Sequence, residues 1–350
     1  MTICYFGDFD KSYSRNHIII NGLEKNGVKI VFCHTSQKGV GKYFDLWIKY
    51  VNLSENFNVI IVGYSNSRLL VPFARLISGK KVIWDAFYSL YDSYVFDRKL
   101  VGSRSIKAGL YWFADWLACK CAHVVVLDTE EHIKYMSKEF RTRKNKFRRI
   151  WIGAQDDIFK PLPLQTHKNF QVVFHGFFIP LQGIEYILKA AKILEGQNID
   201  FIIIGSGQES PKMIDLSRKI ELKNTIFFDR ISKEDLATKI ASADVCLGIF
   251  GNTEKAKRVI PNKVYECLSM QKPVITGDTP AIRELFNEND LILVPMADPQ
   301  AIANAVIRLR DNPDLRNSIA ESGYNKLKKN AIPEILGAQI KQIIYEFKKE

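Results

Sequence analysis

From Lys255 to Glu266 the chain reads KAKRVIPNKVYE, and these residue types at this spacing suit a phosphate ligand. Lys255, Lys257 and Arg258 fall within four residues. Pro261 and Asn262 then open a helix that carries Lys263 in its first turn and Glu266 one turn later. Cations and a helix N-terminus directed at one place favour an anion. A carboxylate just beyond that place can accept hydrogen bonds from paired sugar hydroxyls, as an acidic residue does for ribose in dinucleotide folds. A nucleotide diphosphate meets both requirements, with Lys257, Arg258, Asn262 and Lys263 on the phosphate side and Glu266 on the ribose side. A solvated basic loop with an ordinary Lys–Glu pair would show the same spacing, so charge alone does not decide between the two.

The elements that must position these residues are apolar runs alternating with helical periodicity. Strands are predicted at 3–6, 29–33, 59–64, 81–86, 123–128 and 149–153. A second series is predicted at 171–176, 200–206, 225–230, 245–250, 273–278 and 291–295. Nearly continuous Val, Ile and aromatic residues are expected where helices cover both faces of a parallel sheet. The fold class is therefore α/β, with two doubly wound, Rossmann-like domains in tandem. A segment with two prolines at about 156–169 reads as the linker. The first domain is placed at 1–160 and the second at 168–330, with a last helix at 333–350, set off by Pro333, folding back onto the first. Ligands of such sheets bind beyond the C-terminal strand ends, which selects the 255–266 loop together with His175, Gly176, Gly205 and Gly207.

Composition limits the alternatives. The 350 residues suffice for two cores, and 47% hydrophobic with 25% charged residues is a globular profile. No run approaches the ~18 apolar residues of a spanning helix. The N-terminus resembles a first strand rather than a signal peptide, so a cytoplasmic location is expected. Six cysteines without a CxxC pair fit a reducing compartment, and no metal is expected from the Cys119, Cys121 and His123 cluster. The net charge of +12 is uneven. Arg141, Arg143, Lys144, Lys146, Arg148 and Arg149 form a basic run without an acid, suited to anionic lipid headgroups or nucleic acid. A nucleic-acid-binding protein without catalysis is one rival reading, though no recognised binding motif accompanies the charge.

Other motifs carry less. GSGQES at 205–210 lacks the third glycine of a dinucleotide fingerprint, and SQKGVGKY at 36–43 lacks the first glycine and the hydroxyl residue of a Walker loop. Asp8 and Asp10 form a D-x-D pair placed where turns and caps occur. The segment WDAFYSLYDSYVFDRK at 84–99 follows a strand and mixes rings with carboxylates, a pattern suited to a carbohydrate as well as to an aromatic core. Asp85, Tyr88 and Asp92 there, with Arg15 at the first helix start, are the candidate acceptor-binding residues.

Taken in order, FHGFFIPLQGIEYILKAAKIL (174–194), GSG (205–207), SADV (242–245), PNKVYECLSMQKPVITGD (261–278) and VPMADPQAIANAVIRL (294–309) resemble glycosyltransferase family 4. WIGAQDDIFKP (151–161) resembles the family's interdomain crossover. The resemblance covers nearly the whole chain. It implies a GT-B fold whose two domains face across a cleft, and transfer of a sugar from a nucleotide-sugar donor with retention. The implied acceptor is a saccharide or lipid-linked saccharide of surface polysaccharide or glycoconjugate assembly, at the cytoplasmic membrane face. It also implies no metal or other cofactor, because cationic side chains take that task. Glu266 falls on the second acid of the E-x7-E motif, which binds ribose. Arg258 stands at the first acid, and Phe177 and Gln182 stand where the family places an Arg and a Lys against the diphosphate. The expectation is that this charge has moved to the 255–263 loop, making Arg258, Lys263 and Glu266 the catalytic set, with Gly176 and Gly205 beside them in the donor site. A GT-B nucleotide-sugar epimerase is a second rival, and a degenerate transferase a third.

Overall fold

In the computed structural model of the protein, which describes residues 1–163 and 167–349, the apolar runs form parallel strands. Those of the first half are β1 (Thr2–Gly7), β2 (Lys29–His34), β3 (Val59–Val62), β4 (Lys81–Phe87), β5 (Val124–Leu127) and β6 (Phe147–Arg149). Those of the second are β7 (Phe170–His175), β8 (Ile199–Ile204), β9 (Thr225–Phe228), β10 (Val245–Leu247), β11 (Val274–Gly277) and β12 (Ile292–Val294). Among the described residues they make two six-stranded sheets, ordered β2-β1-β3-β4-β5-β6 and β12-β11-β10-β7-β8-β9. The strand predicted at 149–153 lies earlier. Phe147, Arg148 and Arg149 pair with Val125, Val126 and Leu127, and the chain leaves the sheet at Ile150.

Two units follow from the packing: Met1–Gly153 with Ala331–Glu350, and Ala154–Asn330. The first has its core around Phe6, Trp84 and Leu127, the second around Val172, Phe174 and Ile203. Residues 154–160, assigned above to the first domain, group with the second unit. Phe159 is buried and its carbonyl accepts a 2.5 Å hydrogen bond from the Ser269 hydroxyl, which fixes this stretch to the Asn262–Ser269 helix. Of the predicted linker, residues 164–166 lie outside the described residues, as does residue 350 of the final helix. That helix, Pro333–Lys349, lies along Ser14–Lys25 at a closest approach that only glycines permit: a Cβ on Gly337 would sit 2.0 Å from the Gly22 carbonyl oxygen.

Right-handed crossovers determine which face each helix covers. From β1 the first sheet steps one way to β2. The β2-to-β3, β3-to-β4 and β4-to-β5 connections step the other way, placing helices Gly41–Val51, Leu70–Ser78 and Ile106–Cys121 together on the opposite face from Ser14–Lys25. The middle helix packs against both of its neighbours.

Candidate functional site

The second unit gathers its chemistry where β7 and β8 end. Gly176 has φ +147 and Gly205 φ +130, and a Cβ on Gly205 would lie 2.0 Å from the Gly176 carbonyl oxygen. Only glycine at 205 lets the two strand-end loops run backbone against backbone. The Gly176 amide donates to the Ile204 carbonyl at 2.9 Å, and the Phe178 amide to Ser206 at 3.2 Å. The Pro180–Gln182 turn is held from the other side, where the Phe250 amide donates to the Gln182 carbonyl at 3.1 Å.

Into this frame the Asn262–Ser269 helix delivers Lys263 and Glu266. Pro261 precedes it in an extended conformation (ψ 150), and no side chain caps its N-terminus. The Lys263 ammonium lies 3.6 Å from the centroid of the Phe174 ring, donates to Gln182 Oε1, and would be 2.9 Å from a Cβ on Gly176. Only 4% of Lys263 is exposed. Burial holds its ammonium well below the ordinary lysine range, opposed by the Cys267 thiol and the Glu266 carboxylate. Glu266 lies with Oε2 3.7 Å from His175 Nε2. Burial lifts its carboxyl to about 7, against the pull of Lys233 and Lys263. Burial, with Lys263 adding to it, pushes His175 down to about 3, so the His175–Glu266 contact at neutral pH involves a neutral imidazole and is not an ion pair. Gly176, Gly205, Lys263 and Glu266 are thus brought together.

Residues Lys257 and Arg258 behave differently. Lys257 bonds Glu254 at 2.6 Å on the surface, and that hydrogen bond, with a smaller pull from Arg258, holds the Glu254 carboxyl below its usual range. Arg258 is half-buried in the short turn Ala256–Arg258, and Asn262 is half-buried at the helix start. A cation that the charge pattern did not single out stands elsewhere: Arg230, just past β9, lies with its guanidinium 4.2 Å from the centroid of the exposed Phe177 ring. Lys233, on the next helix, donates to Gln155 at 2.5 Å. The missed signal was positional, since Arg230 follows the strand that neighbours β8 at the same sheet end.

In the first unit Arg15 and Asp85 belong to each other. The guanidinium of Arg15 meets the carboxylate at 2.9 Å and donates to the Ile150 and Trp151 carbonyls at 3.0 and 2.7 Å, with both side chains closed to solvent. Burial lifts the Asp85 carboxyl, and Arg15 draws it back. That is the placement of an internal ion pair tying β4 to the chain leaving β6. Asp92 is also buried. Tyr88 remains half-buried and its hydroxyl accepts at 2.8 Å from that of Tyr64, whose ring lies 4.9 Å from both Tyr13 and Phe87. Phe87 adopts φ +61, an uncommon conformation for a bulky residue, beside a register shift in the β4–β5 pairing. A second buried ion pair, Arg68 with Asp115 at 3.1 Å, supports this aromatic group through a 2.6 Å bond from Arg68 to the Tyr88 carbonyl.

The acids of the D-x-D pair serve locally: Asp8 accepts from Lys42 at 2.9 Å and Asp10 from the Ser12 amide at 2.8 Å. Among the described residues no group of three or more His, Cys, Asp or Glu side chains is arranged to hold a metal ion. The basic run is partly engaged. Lys144 pairs with Glu130 at 3.3 Å and Arg148 with Glu346 at 3.0 Å, and Arg149 lies 3.7 Å from the Trp151 ring centroid. Lys146 donates at 2.7 Å to the Cys119 and Lys120 carbonyls at a helix end, and Arg141 and Arg143 are exposed.

Residues 155–326, nearly the whole second unit, match the family described as glycosyl transferases group 1. This unit belongs to that family. The chain is 26% identical to the alpha-D-kanosaminyltransferase of Streptomyces kanamyceticus over 43% of its own length and 39% of that protein's. It is 22% identical to the capsular polysaccharide biosynthesis glycosyltransferase CapM of Staphylococcus aureus, over 71% and 68% of the two chains. The chain therefore spans well under half of the first of these relatives. In fold it is similar to Anabaena HepE, solved in complex with UDP and glucose, with a TM-score of 0.75 at 13% identity over 99% of this chain and 100% of that one. The two-sheet α/β architecture is the GT-B fold.

Proposed function

We propose that the chain is a glycosyltransferase that moves a sugar from a nucleotide-sugar donor to a saccharide or lipid-linked acceptor in surface polysaccharide or glycoconjugate assembly. The observation that carries this reading is the Lys263–Gln182–Gly176 cluster with Glu266 one helical turn away, inside a unit of the group 1 family. Glu266 takes the ribose hydroxyls. Lys263 at the uncapped helix N-terminus, with Arg230 on Phe177, takes the diphosphate that the Arg and Lys of the family pattern would otherwise grip. The relocated charge thus falls on Lys263 and Arg230, while Lys257 is paired with Glu254. Negative charge developing on the leaving diphosphate meets donors already fixed in place, the arrangement that contributes most to such transfers. An anion arriving beside Lys263 restores the charge that burial suppresses, so binding and protonation of Lys263 reinforce each other.

The acceptor is assigned to the first unit, at the Tyr13, Tyr64, Phe87 and Tyr88 rings rather than at the internal Arg15–Asp85 pair. Retention and independence from a metal are part of the reading, on the strength of the family resemblance. A cytoplasmic, peripheral position at the membrane is also part of it, with Arg141 and Arg143 as the open members of the basic run. Among the described residues no helix is long and apolar enough to cross a membrane. The test is donor turnover across a panel of nucleotide sugars, in EDTA and with added magnesium. The reading requires sugar transfer from one donor class, equal in both conditions, with the anomeric configuration of the donor kept. Conversion of the nucleotide sugar to an epimer without an acceptor would replace it with the epimerase reading.

A further inference from the structure

The helical layer over the first sheet leaves an apolar surface uncovered. Val40, Phe44, Trp47, Ile48 and Val51 recur at i, i+4, i+7, i+8 and i+11 along Gly41–Val51 and its N-cap, and are 84, 62, 47, 39 and 58% exposed. On Ile106–Cys121, Ile106, Leu110 and Phe113 recur at i, i+4 and i+7 with 87, 62 and 47% exposed. Between these helices, Leu76 on Leu70–Ser78 is 83% exposed. These spacings place each set on one helix face, and the crossover geometry places the three helices side by side on one face of the sheet. Exposed apolar side chains grouped on neighbouring helices of one layer mark an interaction site.

Cations predominate around it, although Glu139 of Glu130–Glu139, a helix on the same face, accepts from Trp112 at 2.9 Å. Of the acids on these three helices, Asp115 is buried under Arg68, and Asp45 is paired with Lys49 at 2.7 Å. Arg75, Lys107 and Lys120 are exposed on the same helices. At the C-terminal end of Ile106–Cys121 lies a cavity of about 400 Å³ whose cations are Lys120, Arg141, Arg143 and Lys146. We propose that this layer is a docking face for an anionic bilayer surface: the apolar side chains enter the boundary between headgroups and acyl chains, and the cations at its edge hold headgroup phosphates. A second copy of the chain is the poorer occupant, because a two-fold contact through this face would set like charges against each other. Nucleic acid would leave the apolar stripes unused. The inference deepens the lipid-linked acceptor reading, but it rests on the surface and not on the donor site.

The test is sedimentation of the full chain with phosphatidylcholine vesicles, with and without phosphatidylglycerol. Wild type is expected to bind the anionic vesicles and to release them as salt rises. The pairs Phe44→Ser with Trp47→Ser, and Leu110→Ser with Phe113→Ser, are each expected to weaken partitioning roughly tenfold or more, from the apolar area withdrawn. Lys107→Glu with Lys120→Glu is expected to abolish the preference for anionic lipid. Unchanged melting temperatures and unchanged nucleotide binding in all three separate loss of docking from loss of fold or of the donor site. Apolar variants that partition like wild type would overturn the proposal, as would equal binding to neutral vesicles. Concentration-dependent dimerisation without vesicle binding, lost in the same variants, would overturn it in favour of a second copy.

Discussion

Two buried ionisable groups, Lys263 and Glu266, carry the account at the scale of single residues. Lys263→Met keeps the stem against Phe174 and removes the ammonium, so nucleoside diphosphate affinity should fall roughly 10- to 100-fold, the range for a lost charged hydrogen bond. Titration calorimetry reads this directly, and Arg258→Ala is the comparison expected to stay near wild type. Glu266 makes a prediction in pH. Its carboxyl titrates near 4.5 when unfolded and at about 7 when folded, so its ionisation opposes folding. Stability present below pH 4.5 is lost as pH rises to about 7. Glu266→Gln should therefore match wild type in acid and exceed it above pH 7 by at most about 3 kcal/mol. Parallel denaturation curves for the two proteins across that window would contradict the burial argument. Glu266 and Lys263 were legible in the sequence because Pro261 and Asn262 announce the helix that positions them. Gln182 as the acceptor for Lys263 was not, because the contact joins residues far apart in the chain.

The strand-end loops and helix starts decide which of those side chains meet. Gly205→Ala places a methyl group against the Gly176 carbonyl at a φ that alanine resists, and should cost about 3 kcal/mol while scattering the donor site. Arg15→Ala separates the internal acceptor candidate from its partner. An uncompensated buried carboxylate costs about 3–5 kcal/mol, so the first unit should melt early. A selective rise in acceptor KM with normal melting would instead restore Arg15 to the acceptor site. Strands with continuous Val and Ile were legible from pattern alone, as at β3 and β8. The strand read at 149–153 was displaced because RIWIG is as apolar as a strand, yet its carbonyls serve the Arg15 guanidinium, a demand no local pattern displays. The same holds for Asp85, whose place at a strand end looked functional until its burial beside Arg15 was seen.

For the whole molecule, the alternation of strands and helices made the two-sheet architecture legible, while the unit boundary at Gly153 was not. Residues 154–160 form no helix or strand and join the second unit through single contacts such as Ser269 to Phe159. The basic run was legible as charge, but its division among Glu130, Glu346, a helix end and solvent depends on elements from distant parts of the first unit. The apolar helical layer went unread because exposed and buried stripes look alike in a periodicity pattern. The central claim, a nucleotide-sugar site built on Lys263 and Glu266, is tested most directly by the melting temperature of the full chain with UDP, GDP, ADP, dTDP and CMP. One nucleotide should stabilise by roughly 2.7 kcal/mol when present at about 100 times its dissociation constant, with the shift reduced in Lys263→Met. No shift with any nucleotide, or the same shift in wild type and Lys263→Met, would contradict it.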